Sequence, residues 1–261
     1  MNSGLPRGII KSPSEIDLMR ESGRLLASVF AMLDQKIQAG MTTLEIDTLV
    51  ERYIVDALHA RPASKGQYDY QYSLNASVND VVCHGVPNAN FKLRGKDIVN
   101  IDITLEKNGF ISDSSKMYVL DNASKEAKRL VRVTYEALWE GIKVVKPGAR
   151  LGDVGYAVQA HAEQAGYSVV REYCGHGIGR EMHEEPQVLH YGKANTGLVL
   201  EAGMTFTIEP MINQGSAKTK LKKDGWTVIT KDRKLSAQWE HTILVTEAGY
   251  EVLTLREEER T

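Results

Sequence analysis

The sequence predicts an α+β fold in which helices pack on a central antiparallel sheet. Three observations carry that prediction. Two capped helical patterns open the chain. A hairpin signal follows them, and a second pair of helical patterns precedes a long run of strand-like segments.

The first helix starts at Ser12, a good N-cap, with Pro13 at the first helical position and Glu15 completing a capping box. Ile16, Met19, Leu26, Phe30 and Leu33 then recur at helical spacing, and Gly40 reads as the stop. A second helix starts near Thr42, again with a glutamate three residues on, Glu45. Its apolar face is Ile46, Leu49, Val50, Tyr53 and Leu58. Residues 60–80 lack helical periodicity and read as loop and edge strand. Residues 98–120 read as a β-hairpin. Ile101, Ile103 and Leu105 alternate with polar residues, and Asn108-Gly109 is the favoured two-residue turn. Residues 123–145 and 151–165 give the third and fourth helices, closed by Pro147-Gly148 and by Gly166. Val169 to Leu255 reads as strands and loops.

A weak internal echo runs through this order. Gly40 lies as far from Gly148 as Asp102 lies from Glu209, to within one position, and His84-Gly-Val-Pro87 is echoed by His183-Glu-Glu-Pro186. Two related halves on one antiparallel sheet account for it. No low-complexity linker separates them, so residues 1–261 are expected to form one domain.

The composition excludes several functional classes. Apolar residues at 42% and charged residues at 25% are ordinary for a globular chain with a substantial core. A formal charge of −2 argues against a general nucleic-acid binder, and no specific DNA binding is expected. Two cysteines, Cys83 and Cys174, allow at most one disulfide, which fits a reducing cytoplasm. Charged residues interrupt the first apolar segments, so neither a secretory leader nor a membrane span is expected.

The hairpin carries the first chemical signal. With Asn108-Gly109 as its turn, Asp113 faces Thr104 and Asp102 faces Ser115. Side chains alternate, so the two aspartates share a face as diagonal neighbours, their Cα atoms roughly 7–8 Å apart. That spacing suits carboxylates on one ion or astride two, and it equally suits two solvated acids. Gly175-His-Gly-Ile-Gly179 is a backbone that turns sharply around His176, either toward a ligand or as a plain turn. Glu209 and Glu240 sit in apolar strand settings, where an acid needs a partner, be it a cation or an Arg or Lys. Taken together, four carboxylates and one imidazole are hard oxygen ligands plus nitrogen, a set suited to Mn, Fe, Co or Zn and to a two-metal hydrolase.

Asn100-Ile-Asp-Ile-Thr104, Asp113-Ser-Ser-Lys-Met117, Gly175-His-Gly-Ile-Gly-Arg180, His183-Glu-Glu-Pro186, Met204-Thr-Phe-Thr-Ile-Glu-Pro210 and Glu240-His-Thr-Ile243 resemble, in that order, the motifs of the type I methionine aminopeptidases. These form a branch of the family with the creatinase, or pita-bread, fold. The resemblance runs from about Ser12 to Leu255. It implies a pseudo-twofold antiparallel sheet with helices on its outer face, and two divalent ions (Co, Mn, Fe or Zn) held by Asp102, Asp113, His176, Glu209 and Glu240. It also implies removal of an N-terminal methionine before a small second residue. Glu209 would shuttle the proton, His183 would bind the carbonyl oxygen, and His84 would contact the amide nitrogen. Tyr70, Asn75, Met182 and Trp226 would line the pocket for the first side chain.

The short stretch between His176 and Glu209 leaves no room for the helical insertion of the type II branch. The residues before Ser12 are too few for the extra domain of prolidases. Three positions depart from the common pattern. Met182 stands where an aromatic is frequent, Asn75 where a cysteine is, and Gln67 where a pocket tyrosine is. Lys218, Lys220, Lys222 and Lys223 crowd the loop between Asn213 and Trp226. The resemblance and the phosphate affinity of such a patch imply weak ribosome association by a monomeric enzyme.

Overall fold

The two reciprocal capping boxes form. Ser12 accepts from the Glu15 N–H and Thr42 from the Glu45 N–H, and each glutamate reaches back to its cap residue's N–H. The computed structural model describes residues 8–260. The expectation that no further domain precedes Ser12 falls partly on residues 1–7, outside that description. The first half holds α1 (Pro13–Asp34), α2 (Thr43–Arg52), β1 (Arg61–Pro62), β2 (Leu74–Val78), β3 (Val81–Cys83), β4 (Ile98–Lys107) and β5 (Phe110–Val119). After them come α3 (Lys125–Lys143), α4 (Leu151–Gln164), β6 (Ser168–Val169), β7 (Gly175–Gly177), β8 (Glu184–Val188) and β9 (Thr205–Ile208). The chain continues through β10 (Met211–Asn213), β11 (Thr219–Leu221), β12 (Val228–Thr230), β13 (Ser236–Gln238), β14 (His241–Val245) and β15 (Tyr250–Val252).

Every strand pairing is antiparallel. β4 pairs β5 along one edge and β1 and β2 along the other; a second sheet runs β15-β14-β9-β7-β8. Two smaller sheets run β13-β10-β6 and β11-β12-β3. A bridge between Ser115 and Glu240 stitches the two large sheets together. Helices cover one side. Leu26, Phe30, Leu33, Ile46 and Val50 of α1 and α2 bury against Val99, Ile101, Ile103 and Leu105 of β4. Leu138, Ile142 and Val154 of α3 and α4 bury against Phe206, Ile208, Ile243 and Val245. Each fully buried side chain of this size contributes roughly 1.5–3 kcal/mol. The opposite face is thereby left to the polar alternates of the same strands.

The structure refines three expectations. α1 ends at Asp34, before Gly40, because the N–H groups of Gln35, Lys36 and Ile37 fold back onto the carbonyls of Met32 and Leu33. Gly40, at φ +95°, turns the connector instead. Residues 74–78 are more than a fringe, pairing residue by residue with Val99–Ile103. The lysine-rich loop includes a short hairpin, β11 paired to β12, with Lys220 on β11 and Lys222 and Lys223 in its turn.

Candidate metal centre

The hairpin register is the predicted one. Asp102 faces Ser115 and Thr104 faces Asp113, with Asn108 and Gly109 both at positive φ, as a type I′ turn requires. Asp113 and Glu240 are brought together across the two large sheets. The Glu240 N–H donates to Ser115 O, the Ser114 hydroxyl donates to Glu240 O, and the Asp113 N–H donates to Thr242 Oγ1. On the other side of β14, His241 pairs with Ile208. One further step along both strands sets Glu240 opposite Glu209. The five expected ligands thus line one cavity of about 550 Å³, with Tyr70, Asn75, His84, Met182, His183 and Trp226 also on its wall.

Close approach explains the glycines around His176. A Cβ on Gly175 would lie 2.4 Å from Thr207 O, and one on Gly177 2.0 Å from Glu185 O, so only glycine lets β7 lie between its neighbours. The His176 N–H donates to Thr207 Oγ1, and the Thr207 hydroxyl donates to Glu209 Oε1 at 2.9 Å. His176 Nδ1 is 3.0 Å from Gly177 O. That contact puts the ring proton on Nδ1 and leaves the Nε2 lone pair toward the acids. Nε2 lies 3.5 Å from Glu209 Oε1 and 3.9 Å from Asp113 Oδ2.

The electrostatics are those of anions packed together. Burial pushes Asp102 up to about 6 and Glu209 up to about 8. Burial, with the neighbouring acids, pushes Asp113 and Glu240 well above the carboxylate range. Burial holds His176 and His84 down at about 4, and it lowers His183 too. The alternative of an ion pair to Arg or Lys finds no support among the described residues, where no such group lies within 4.0 Å of the four acids. Asp113 Oδ1 is buried without a hydrogen-bond partner. Ligand atoms of Asp113, His176 and Glu240 all lie within 4.8 Å of one another. An orphaned carboxylate oxygen, a free imidazole lone pair and clustered acids fit a divalent cation.

Around this centre the pocket residues divide. Tyr70 and Trp226 pack with ring centroids 4.8 Å apart, and Met182 is buried beside Phe110, Ile178 and Leu244. Asn75 is the register partner of Asp102, and its amide beside the carboxylate offsets part of the rise that burial causes. Gln67 also lines the cavity. His84 sits at φ +54°, a strained setting that local packing must hold. A larger groove of about 740 Å³ lies beyond β2, but its Arg94 and Arg233 are already paired with Asp97 and Asp80.

Sequence reasoning missed the residues that support the site. Gln238 donates to Glu209 Oε2 at 3.2 Å, and the Glu209 N–H donates to the buried His190 Nε2 at 2.9 Å. Tyr68 stacks on His183 with its hydroxyl 3.4 Å from Nδ1. Only Thr207 carried a usable signal, since it lies two residues from Glu209 on the same strand face.

Fold and site together define a metal-dependent hydrolase. The chain matches metallopeptidase family M24 over residues 17–247. The methionine aminopeptidase of Salmonella typhimurium is 53% identical over 250 residues, 96% of this chain and 95% of that protein. The Escherichia coli K12 methionine aminopeptidase is 50% identical over the same shares. The crystal structure of methionine aminopeptidase from Rickettsia prowazekii aligns with a TM-score of 0.92 at 46% identity, covering 94% of this chain and 99% of that one. The chain belongs to metallopeptidase family M24 and, within it, to the methionine aminopeptidases with their pita-bread fold. A divalent metal cofactor and peptide substrates come with that membership. Among the described residues, no helix is long and apolar enough to cross a membrane.

Proposed function

We propose that this enzyme removes the N-terminal methionine from new proteins and peptides, favouring small second residues, with two divalent ions held by Asp102, Asp113, His176, Glu209 and Glu240. One observation carries the reading: four acids share one cavity with the His176 lone pair and, among the described residues, have no Arg or Lys partner, beside the apolar side chains of Tyr70, Met182 and Trp226. Bound divalent cations supply Lewis acidity and an acidified water nucleophile. The protein's own groups do the rest. Glu209, braced by Thr207 and Gln238, takes the proton of the attacking water and delivers it to the leaving nitrogen. His183 donates to the carbonyl oxygen as negative charge grows there. His84 contacts the scissile amide nitrogen. Tyr70, Trp226 and Met182 hold the first side chain, and Asn75 makes one wall of the pocket more polar. We further place the enzyme in the cytoplasm as a monomer, with residues 1–261 forming one domain.

The test is kinetics on peptides with varied first and second residues, with Mn, Fe, Co and Zn each supplied. Met-Ala-type peptides should be cleaved far faster than Lys- or Glu-initiated ones. Comparable rates on all three would favour a broad aminopeptidase of the same fold. The exposed Lys218, Lys220, Lys222 and Lys223 support weak ribosome contact through phosphates. Replacing all four by Glu should weaken co-sedimentation with ribosomes at low salt and leave peptide hydrolysis unchanged. Equal co-sedimentation across a salt series would remove that reading.

A further inference from the structure

The segment from Gly179 to His183 joins β7 to β8 and carries both Met182 and His183, yet it has no regular structure of its own. One carboxylate organises it. Glu184 Oε1 accepts the N–H groups of Arg180 at 2.8 Å and Glu181 at 3.2 Å. Its Oε2 accepts Lys11 Nζ at 2.6 Å. This pair is well shielded, with side-chain exposures of 4% for Lys11 and 19% for Glu184. Lys11 comes from the far end of the chain. Its N–H donates to Gly203 O, Ile10 bridges Met204, and Nζ also donates to Gly8 O. The stem passes directly under the loop, since a Cβ on Gly179 would lie 2.5 Å from Lys11 Cε. A second tether joins Arg180 to Glu15 at 3.2 Å, but Arg180 is exposed there. An exposed pair contributes little, whereas a shielded pair that loses one partner leaves an uncompensated charge.

The backbone contacts at Ile10 and Lys11 hold this segment in place without the ammonium. What the ammonium adds is the counter-charge that lets the half-buried Glu184 stay shielded and keep both loop N–H groups. We propose that Lys11 is a positioning residue for the reaction. Acting through Glu184, it fixes the loop that presents His183 to the carbonyl oxygen and Met182 to the first side chain. The inference rests on the roles proposed above for those two residues.

Lys11→Met keeps the stem and removes the charge. With Met-Ala-Ser as substrate, kcat should fall by about 10- to 100-fold, the scale of a catalytic group misplaced by about 1 Å. Metal content and far-UV circular dichroism should not change. Lys11→Arg should recover most of the rate. Adding Glu184→Gln to Lys11→Met should recover part of it, because the amide oxygen still accepts both N–H groups with no stranded charge. The decisive measurement is a double-mutant cycle with His183→Ala. A residue acting through His183 has little left to remove, so Lys11→Met/His183→Ala should be barely slower than His183→Ala. Full additivity, an unchanged kcat in Lys11→Met, or a loss that tracks metal or folded fraction would each overturn the proposal. If His183→Ala itself left kcat unchanged, the reading of the site would fail instead, which separates the two failures.

Discussion

Two charge clusters lie back to back across β5 and β14. One residue along either strand separates them, Asp113 from Ser114 and Glu240 from His241, because neighbouring side chains point to opposite faces. On the back face, Arg256 is 1% exposed and almost fully answered. It donates to Ser114 Oγ at 3.0 Å and to Glu259 Oε1 at 3.2 Å, and its guanidinium lies over the rings of Phe30 and Trp239. Burial and Arg256 keep His241 below its ordinary range, so the counter-charge to Glu259 near neutral pH is Arg256. Burial pushes Glu259 up, but its hydrogen bond from His241 and the charge of Arg256 outweigh that and hold it at about 2. On the front face Asp102, Asp113, Glu209 and Glu240 have no such partner, and all four are pushed up. The same strands build one cluster that neutralises itself and one made of acids alone. The chain supplies a buried arginine to the back face and, among the described residues, no basic partner to the front face, which supports the proposed metal site there.

The sharpest way to break this comparison is to remove a front-face charge. Asp113→Asn should lose at least one ion and cut turnover by more than about 100-fold, a loss of roughly 2.7 kcal/mol or more in transition-state stabilisation. Full activity under strict chelation would end the metal reading. The matching back-face change, Arg256→Met, removes the counter-charge of the buried Glu259 while the His241 hydrogen bond remains. It should lower stability by about 3–5 kcal/mol in urea unfolding while metal stoichiometry stays that of the parent. If Arg256→Met instead emptied the front site, the two clusters would not be independent.

The carboxylates of the two faces should contribute to the pH dependence of stability in opposite directions. In metal-free protein, Asp102 and Glu209 have folded pKa values raised above their ordinary 3.8 and 4.5, to about 6 and about 8. A raised carboxylate stabilises the fold fully below its ordinary pKa, and that contribution is lost as pH rises through the folded value. His84, His176 and His183 are depressed and act in the opposite sense below their ordinary 6.5, so the acids govern only above about pH 7. Chelated protein should therefore melt lower as pH climbs from 7 to 9, by about 2–4 °C, the shift that roughly 1 kcal/mol produces in a chain near this size. Metal-loaded protein should show a flatter profile. Glu259 is depressed, so its contribution is present above 4.5 and lost as pH falls toward 2. A melting profile of chelated protein that rises between pH 7 and 9 would contradict the front-face assignment.

These clusters also mark where sequence reading stops. The front-face acids were legible because each sits in a local pattern: alternation places Asp102 and Asp113, and apolar flanks make Glu209 and Glu240 conspicuous. Their mutual contact was not legible, because the Ser115–Glu240 bridge joins segments remote in sequence. Arg256 was invisible for a different reason. Leu255-Arg-Glu-Glu-Glu-Arg260 reads as a solvated charge run, and only Phe30, Ser114 and Trp239, all distant in the chain, decide that Arg256 is inside. Lys11 hides in the same way. The helices were easier, since capping boxes and 3.6-residue periodicity are local. The hairpin of β11 and β12 was harder, because three residues on a strand are too few for alternation to be read.

The smallest expected effect lies where neither cluster reaches, on the apolar wall of the pocket. Met182 is 7% exposed and backed by Met19, Phe110, Ile111, Ile178 and Leu244. Its unbranched thioether adapts to neighbours on both sides. Met182→Phe inserts a rigid ring against a filled core, at a stability cost of about 1–3 kcal/mol unless neighbours shift. Toward the substrate it alters one apolar contact, the kind worth about 1–3 kcal/mol in discrimination between first residues. KM for Met-initiated peptides should therefore move by a modest factor and the ranking of Met against bulkier first residues should change. Turnover and metal content should stay near those of the parent, because no group that holds a cation or moves a proton has been touched. A hundredfold fall in kcat, or a lost ion, would mean that the wall and the front-face charges are one unit.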